Sequence, residues 1–242
     1  MHDGQNVFDT ATSFAGEWGA DEAAEELARR GLETIIVAIP NGGAARVDEY
    51  GPWVHSRRGQ AMGGKGEAYA RFLLETVRPV IDGSWRTLTD ERHTGIAGSS
   101  MGGLISLYSA LAHPGVFGYC AALSPSLWFG GKRIFDLVKQ HGDARLRLYL
   151  DMGLIEDRSM LINPHVRNTR RLRDLLLEAG MDVVYVEDEH GRHSEADWRR
   201  RFPTALEWFL DPTARPSTRA VTTATTLGSM LSGLSRLLPN KR

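Results

Sequence analysis

Residues 94–110 read Thr-Gly-Ile-Ala-Gly-Ser-Ser-Met-Gly-Gly-Leu-Ile-Ser-Leu-Tyr-Ser-Ala, and this stretch decides the fold. Its centre, Gly98-Ser99-Ser100-Met101-Gly102, fits the pattern Gly-x-Ser-x-Gly. Residues 94–98 have the composition of a short buried strand, and residues 101–112 that of a helix. A nucleophilic serine at such a strand-to-helix turn sits in a strained backbone conformation. Side chains at the flanking glycine positions would collide with neighbouring backbone. The pattern occurs often by chance, and a serine in a glycine-rich turn is otherwise a helix N-cap. The strand before and the helix after favour the nucleophile. Met101, at the helix N-terminus, then offers its backbone N–H to a developing oxyanion.

Outward from this turn, apolar runs alternate with amphipathic stretches. Strands are expected at residues 34–39, 94–98, 119–124, 146–152 and 183–187. Helices are expected at 22–30, 67–81, 101–112, 132–140, 164–178 and 196–210. The run at 34–39 is rich in β-branched residues and stops at Pro40-Asn-Gly-Gly43, a turn signal. Short apolar strands each followed by a helix predict an α/β fold, a mostly parallel sheet with helices on both faces. No linker interrupts the alternation, so residues 1–211 read as one domain. Residues 212–242, rich in Thr, Ser and Arg, read as a loosely ordered tail.

Bulk properties narrow the function. The 242 residues are 42% hydrophobic and 24% charged, an ordinary globular composition. With 29 basic and 30 acidic residues there is no basic excess to bind nucleic acid. No run of roughly 18 apolar residues encodes a membrane span. Cys120 is the single cysteine and lies in an apolar run, which excludes a disulfide framework and reads as core. Residues 1–6 carry no charged leader and no hydrophobic region, so a cytoplasmic location is expected. They read instead as a loop that follows a strand, as if the chain began inside a domain.

A serine hydroxyl needs a base within hydrogen-bond reach. Of eight histidines, His193 stands out, in the polar loop between the last strand and the last helix and after the nucleophile in chain order. His190 is its nearest rival. The third member, an acid that fixes the imidazole tautomer, should follow the strand at 146–152, where Asp151, Glu156 and Asp157 compete. Glu156 is preferred and Asp157 is the alternative.

Four motifs occur in register: His2-Asp3-Gly4-Gln5-Asn6-Val7-Phe8-Asp9, Gly98 to Gly103, Leu123-Ser124-Pro125-Ser126-Leu127-Trp128, and His193-Ser194-Glu195-Ala196-Asp197-Trp198. Together they resemble the putative-esterase branch of the α/β hydrolases, over roughly residues 1–210. That branch includes siderophore (enterobactin-type) esterases, feruloyl esterases, S-formylglutathione hydrolase and mycolyltransferases. The resemblance implies an α/β-hydrolase fold, Ser100 as nucleophile and His193 as base. It also matches Gly153-Leu154-Ile155-Glu156 to a Gly-x-x-acid pattern, and gives the Gln5 N–H as the second oxyanion donor. The family carries two or three strands ahead of the His2 to Gln5 loop, and this sequence has none. The sheet is therefore expected to lack its first strands and to expose an unpaired edge.

The activity this implies is hydrolysis of a carboxylic ester, siderophore-type or feruloyl-type, on a small-molecule substrate with no cofactor. Transfer of the acyl group to an alcohol or thiol, and a vestigial binding module, are the alternatives. Trp53, Arg57 and Arg58 are candidate substrate contacts for an anionic or aromatic group, set against an ordinary surface-loop reading. Residues 59–65 fit phosphate-loop spacing, but Gly66 stands where Ser or Thr must hold magnesium, and residues 55–58 do not read as a strand. A flexible loop is expected there. His190 and His193 have metal-like spacing without a third ligand, so no metal is expected. The runs Arg170-Arg171 and Arg199-Arg200-Arg201 read as solvated helix faces.

Overall fold

A computed structural model describes residues 1–141, 145–156 and 163–216. After a single 3-10 turn at Gly4–Asn6, the elements are α1 (Ala20–Ala28), α2 (Arg46–Tyr50), β1 (Val54–Arg57), β2 (Gln60–Gly63), α3 (Gly66–Phe72) and α4 (Arg78–Ser84). There follow β3 (Gly95–Ser99), α5 (Met101–Ala112), β4 (Tyr119–Leu123), α6 (Arg133–His141), β5 (Arg147–Gly153), α7 (Pro164–Glu178), β6 (Asp182–Asp188) and α8 (Glu195–Leu210). The strands β3, β4, β5 and β6 form a parallel sheet in sequence order. This is the α/β-hydrolase type of architecture, with helices on both faces.

Alternation along each strand builds two cores. Ile96, Cys120, Leu148, Leu150 and Val183 point to one face, where Leu104, Ile105, Ile134 and Leu172 of α5, α6 and α7 cover them. Ala97, Tyr119, Ala121, Tyr149 and Val184 point to the other, against Leu27 of α1 and Trp198, Phe202 and Ala205 of α8. Cys120 is fully buried in the first core, and burial pushes its thiol up, away from the thiolate.

Residues 67–81 are helical as expected, with a π turn at Leu73–Val77 joining α3 to α4. Pro79 lacks the N–H that would bond the carbonyl four residues back, so the regular ladder breaks there. Two expectations are corrected. Residues 55–57, which do not read as strand, lie in β1, and the loop expected at 59–65 holds β2: the two pair as an antiparallel hairpin, Val54 with Gly63 and Arg57 with Gln60.

Residues 34–39 are extended but form no strand. Among the described residues, their backbone hydrogen bonds go to residues 1–4. The Met1 amine donates to Val37 O at 2.7 Å, Ile39 N to Met1 O at 2.9 Å, and Gly4 N to Ile39 O at 2.8 Å. On the other side His2 N donates to Ala97 O of β3 at 3.0 Å. Two residues lying between two edges are too few for a ladder. Beyond them the edges part around a cavity of about 940 Å³.

The strand register fixes where side chains can meet. Ser99 is level with Leu123, Leu123 with Asp151, and Asp151 with Val186. The loops after all four strands therefore emerge along one edge of the sheet, the carboxyl edge, where open α/β sheets present their ligands.

Candidate active site

Ser100 follows β3 and precedes α5, with φ 55° and ψ −120°. Its neighbourhood explains the glycines: a Cβ on Gly98 would stand 2.7 Å from the backbone carbon of Gly102. Ser100 N donates to Leu123 O at 3.0 Å, and Ser100 O accepts from Ser126 N at 2.9 Å. The turn after β3 is thus clamped to the turn after β4.

His193 Nε2 lies 2.9 Å from Ser100 Oγ, and its Nδ1 lies 2.8 Å from Glu156 Oε2. With Nδ1–H donated to the carboxylate, Nε2 is left to accept the serine proton. The imidazole packs edge-on against Trp198, centroids 4.9 Å apart, which fixes the ring plane. Glu156 sits in the turn after β5 with its side chain 4% exposed. Its Oε1 accepts from Gly153 N at 2.9 Å and from the Ser124 hydroxyl. Burial alone would raise the carboxyl. The hydrogen bond and charge of His193, with the Ser124 and Gly153 donors, outweigh it and hold Glu156 below the usual range. Asp157 lies outside the described residues.

Beneath Glu156 is a group that the sequence reading misplaced. Arg201 is 5% exposed, not part of a solvated face. Its guanidinium donates to Ser124 Oγ at 2.9 Å and pairs with Asp151 at 3.2 Å, Asp188 at 3.6 Å and Glu156 at 3.9 Å. The signal for its burial was available: Trp198, Arg201, Phe202 and Ala205 share the helical stripe that faces the sheet. Arg170, by contrast, is exposed as expected, and pairs in two-pronged fashion with the buried Glu187. Asp151, the third acid candidate, is fully buried and faces Arg201 rather than His193, and burial pushes it up to about 6.

The acid loop and the histidine loop are joined by backbone. Leu154 N donates to Asp188 O at 2.9 Å and Ile155 N to Gly191 O at 3.1 Å. Gly153 and Gly191 touch so closely that a Cβ on Gly153 would stand 2.3 Å from Gly191 O. His190 lies on this loop but outside the Ser100–His193–Glu156 line, its N–H bonded to Asp188. Among the described residues no cluster of three or more His, Cys, Asp or Glu could hold a metal.

A cavity of about 220 Å³ opens at Ser100 and His193, with Asp3, Arg46, Glu195 and Trp18 in its wall. Arg46 grips Asp3 through two bonds of 2.6 and 2.8 Å, and Asn6 donates to Glu195 at 3.2 Å. Burial raises the Glu195 carboxyl. Sequence reasoning gave none of these four polar residues a role, although three lie inside quoted motifs. Met101 is the first residue of α5, as expected. Gln5 lies in the turn between Asp3 and Asn6, its side chain bonded to Asn41 at 3.1 Å. Trp53, Arg57 and Arg58 do not border this cavity. Trp53 packs edge-on to Tyr108, Arg57 lies over Trp128 at 5.5 Å, and Arg58 takes φ 52° at the hairpin turn.

Residues 1–209 match the family described as "Putative esterase". The chain belongs to this family. An uncharacterized protein of Bacillus subtilis, YbbA, is 28% identical over 172 residues, which cover 68% of this chain and 69% of that one. Among solved structures, the BES protein from Bacillus cereus superposes with a TM-score of 0.66 at 18% identity, over 86% of this chain and 80% of that one. The enterobactin esterase FES from Shigella flexneri, solved in the presence of enterobactin, gives 0.54 at 21% identity, over 61% of this chain. The match spans only 38% of FES. These structural likenesses establish the fold. Membership of the esterase family supports a carboxylic ester hydrolase. Among the described residues no helix is long and apolar enough to cross a membrane.

Proposed function

We propose that this chain hydrolyses carboxylic esters through an acyl-enzyme on Ser100. The observation that carries the reading is the hydrogen-bonded line from Ser100 Oγ through His193 to Glu156, at 2.9 and 2.8 Å. His193 Nε2 takes the hydroxyl proton as Oγ attacks the ester carbon. The backbone N–H groups of Met101 and Gln5 receive the charge on the carbonyl oxygen. The imidazolium, held by ionised Glu156, returns the proton to the departing alcohol. Water then repeats the sequence on the acyl carbon and frees Ser100. These steps use the chain's own side chains, its backbone N–H groups and water.

The small cavity beside Ser100 suits a compact acyl group, and the substrate class is read from an aromatic and cationic cluster beyond it. Trp128 lies two residues beyond Ser126 and carries Arg57 over its ring, with His55 at 5.4 Å. We assign this aromatic and cationic cluster, which lies outside the cavity, with Trp53 and Arg58, to an aromatic or anionic portion of the ester, as in siderophore-type or feruloyl-type substrates. The test is a panel of p-nitrophenyl, feruloyl and catechol-lactone esters against wild type and Ser100→Ala. Ser100→Ala should lose roughly 10³-fold or more in kcat/KM on any ester that wild type cleaves. Undiminished hydrolysis by Ser100→Ala would refute the reading.

A further inference from the structure

A second hydroxyl touches the atom that reacts. Ser126 Oγ lies 3.2 Å from Ser100 Oγ, and Ser126 is 6% exposed. Its position is not left to side-chain chance. Ser126 N bonds Ser100 O at 2.9 Å, and Phe129 N bonds Ser126 O at 3.1 Å, so the turn after β4 is fixed from both sides. Among the described residues, Ser100 Oγ is the one hydrogen-bond partner of the Ser126 side chain.

Counting protons gives this bond a direction. Glu156 takes the Nδ1–H of His193, so Nε2 must accept, and the Ser100 hydroxyl proton goes to it. Ser100 Oγ therefore has no proton to give Ser126 and can only accept from it. We propose that Ser126 is a catalytic residue, a hydroxyl donor to Ser100 Oγ that acts chiefly when the acyl-enzyme breaks down. The proposal rests on the acyl-enzyme reading above.

The asymmetry between the two half-reactions follows from which states the bond stabilises. In the free enzyme Ser126 already bonds a hydroxyl oxygen that accepts well, so much of what the attack step gains is present in the ground state and the acceleration is small. In the acyl-enzyme Ser100 Oγ is the singly bonded oxygen of an ester, a weak acceptor. When water adds, His193 takes one of its protons and a tetrahedral adduct forms. The C–Oγ bond then breaks, its electron pair returns to Oγ, and the His193 proton follows. Negative charge builds on Oγ during that cleavage, and the Ser126 O–H strengthens its bond there while keeping its own proton. Only a bond stronger in the transition state than in the ground state speeds a step, so the gain falls on deacylation.

The test is stopped-flow hydrolysis of p-nitrophenyl acetate, whose good leaving group makes acylation fast, with intact-mass and peptide analysis of the trapped enzyme. Wild type, Ser100→Ala and Ser126→Ala are compared. Ser126→Ala should release its first equivalent of nitrophenol nearly as fast as wild type, then turn over about three- to tenfold more slowly. Acetyl should accumulate on Ser100. Should Ser126→Ala fail to fold, Ser126→Cys carries the comparison, since a thiol of similar shape is only a weak donor. Unchanged deacylation, slowing of the first phase alone, or acetyl found on Ser126 would overturn the role of Ser126 and leave Ser100 as nucleophile. A nitrophenol burst that survives in Ser100→Ala, or no release dependent on Ser100, would overturn both.

Discussion

Ser124 and Arg201 show how much of this site depends on groups that never face the substrate. Ser124, at φ 45°, accepts from Arg201 and from the Trp198 indole at 3.1 Å while donating to Glu156. One guanidinium thus stands among three carboxylates, Asp151, Glu156 and Asp188. Asp188 also pairs with Arg200 and Glu156 with His193, but replacing Arg201 with Met would leave the fully buried Asp151 without its cation. Arg201→Met should lower stability by about 3–5 kcal/mol, read from urea denaturation, and an unchanged midpoint would count against the network. Glu156→Gln keeps the shape but puts an uncharged amide opposite Nδ1. Its kcat should fall by roughly 10⁴-fold on an ester that wild type cleaves, with the melting profile little changed; full activity would remove Glu156 from the mechanism. Ser100, His193 and Glu156 were all named from sequence, because a turn motif, chain order and a Gly-x-x-acid match each constrain one of them. Ser124, Ser126 and Arg201 received no role there. Their meaning lies in contacts that join residues 26 to 77 positions apart, and no local pattern encodes those pairings.

At the scale of elements, the strands and helices from β3 onward were legible almost to the residue, because fully apolar runs and amphipathic periods are strong signals. The front half was less so. The hairpin β1–β2 includes Gly59 at its turn and Gly63 in β2, which carry little strand propensity. Residues 34–39 have strand composition yet lack enough backbone partners to form one, since pairing is a tertiary event. The junction that matters most for chemistry is the contact between the turns after β5 and β6. Gly153→Ala would drive these turns apart, because the clash is with Gly191 backbone and no side chain can move aside. We expect kcat to fall on the order of 10²-fold with KM little altered and far-ultraviolet circular dichroism unchanged. A variant with wild-type kcat would show that the two turns need not touch.

Across the whole molecule, one large cavity stands apart from the chemistry. The 940 Å³ space lies between residues 33–39 and β3 and contains none of Ser100, His193 or Glu156. At its end His2 is buried against Tyr50 and Tyr69, with Nδ1 3.0 Å from the Tyr69 hydroxyl. Burial first, then the amine of Met1 and the charge of Arg46, push the His2 imidazole well below its ordinary 6.5. Below that value the unfolded chain binds a proton that the folded chain refuses. His2 therefore contributes stability above about pH 6.5 that is lost as pH falls, by at most about 1.4 kcal/mol per pH unit. Between pH 7 and pH 5 the wild type should lose stability relative to His2→Gln in paired denaturation curves; parallel curves would contradict the assignment. The central claim, an activated serine at the turn after β3, is tested most directly by a fluorophosphonate probe on the purified chain, with the labelled peptide identified by mass spectrometry. The account predicts one label, on Ser100, that is lost on heat denaturation and in Ser100→Ala. A folded chain that takes no label, or takes it elsewhere, would contradict it.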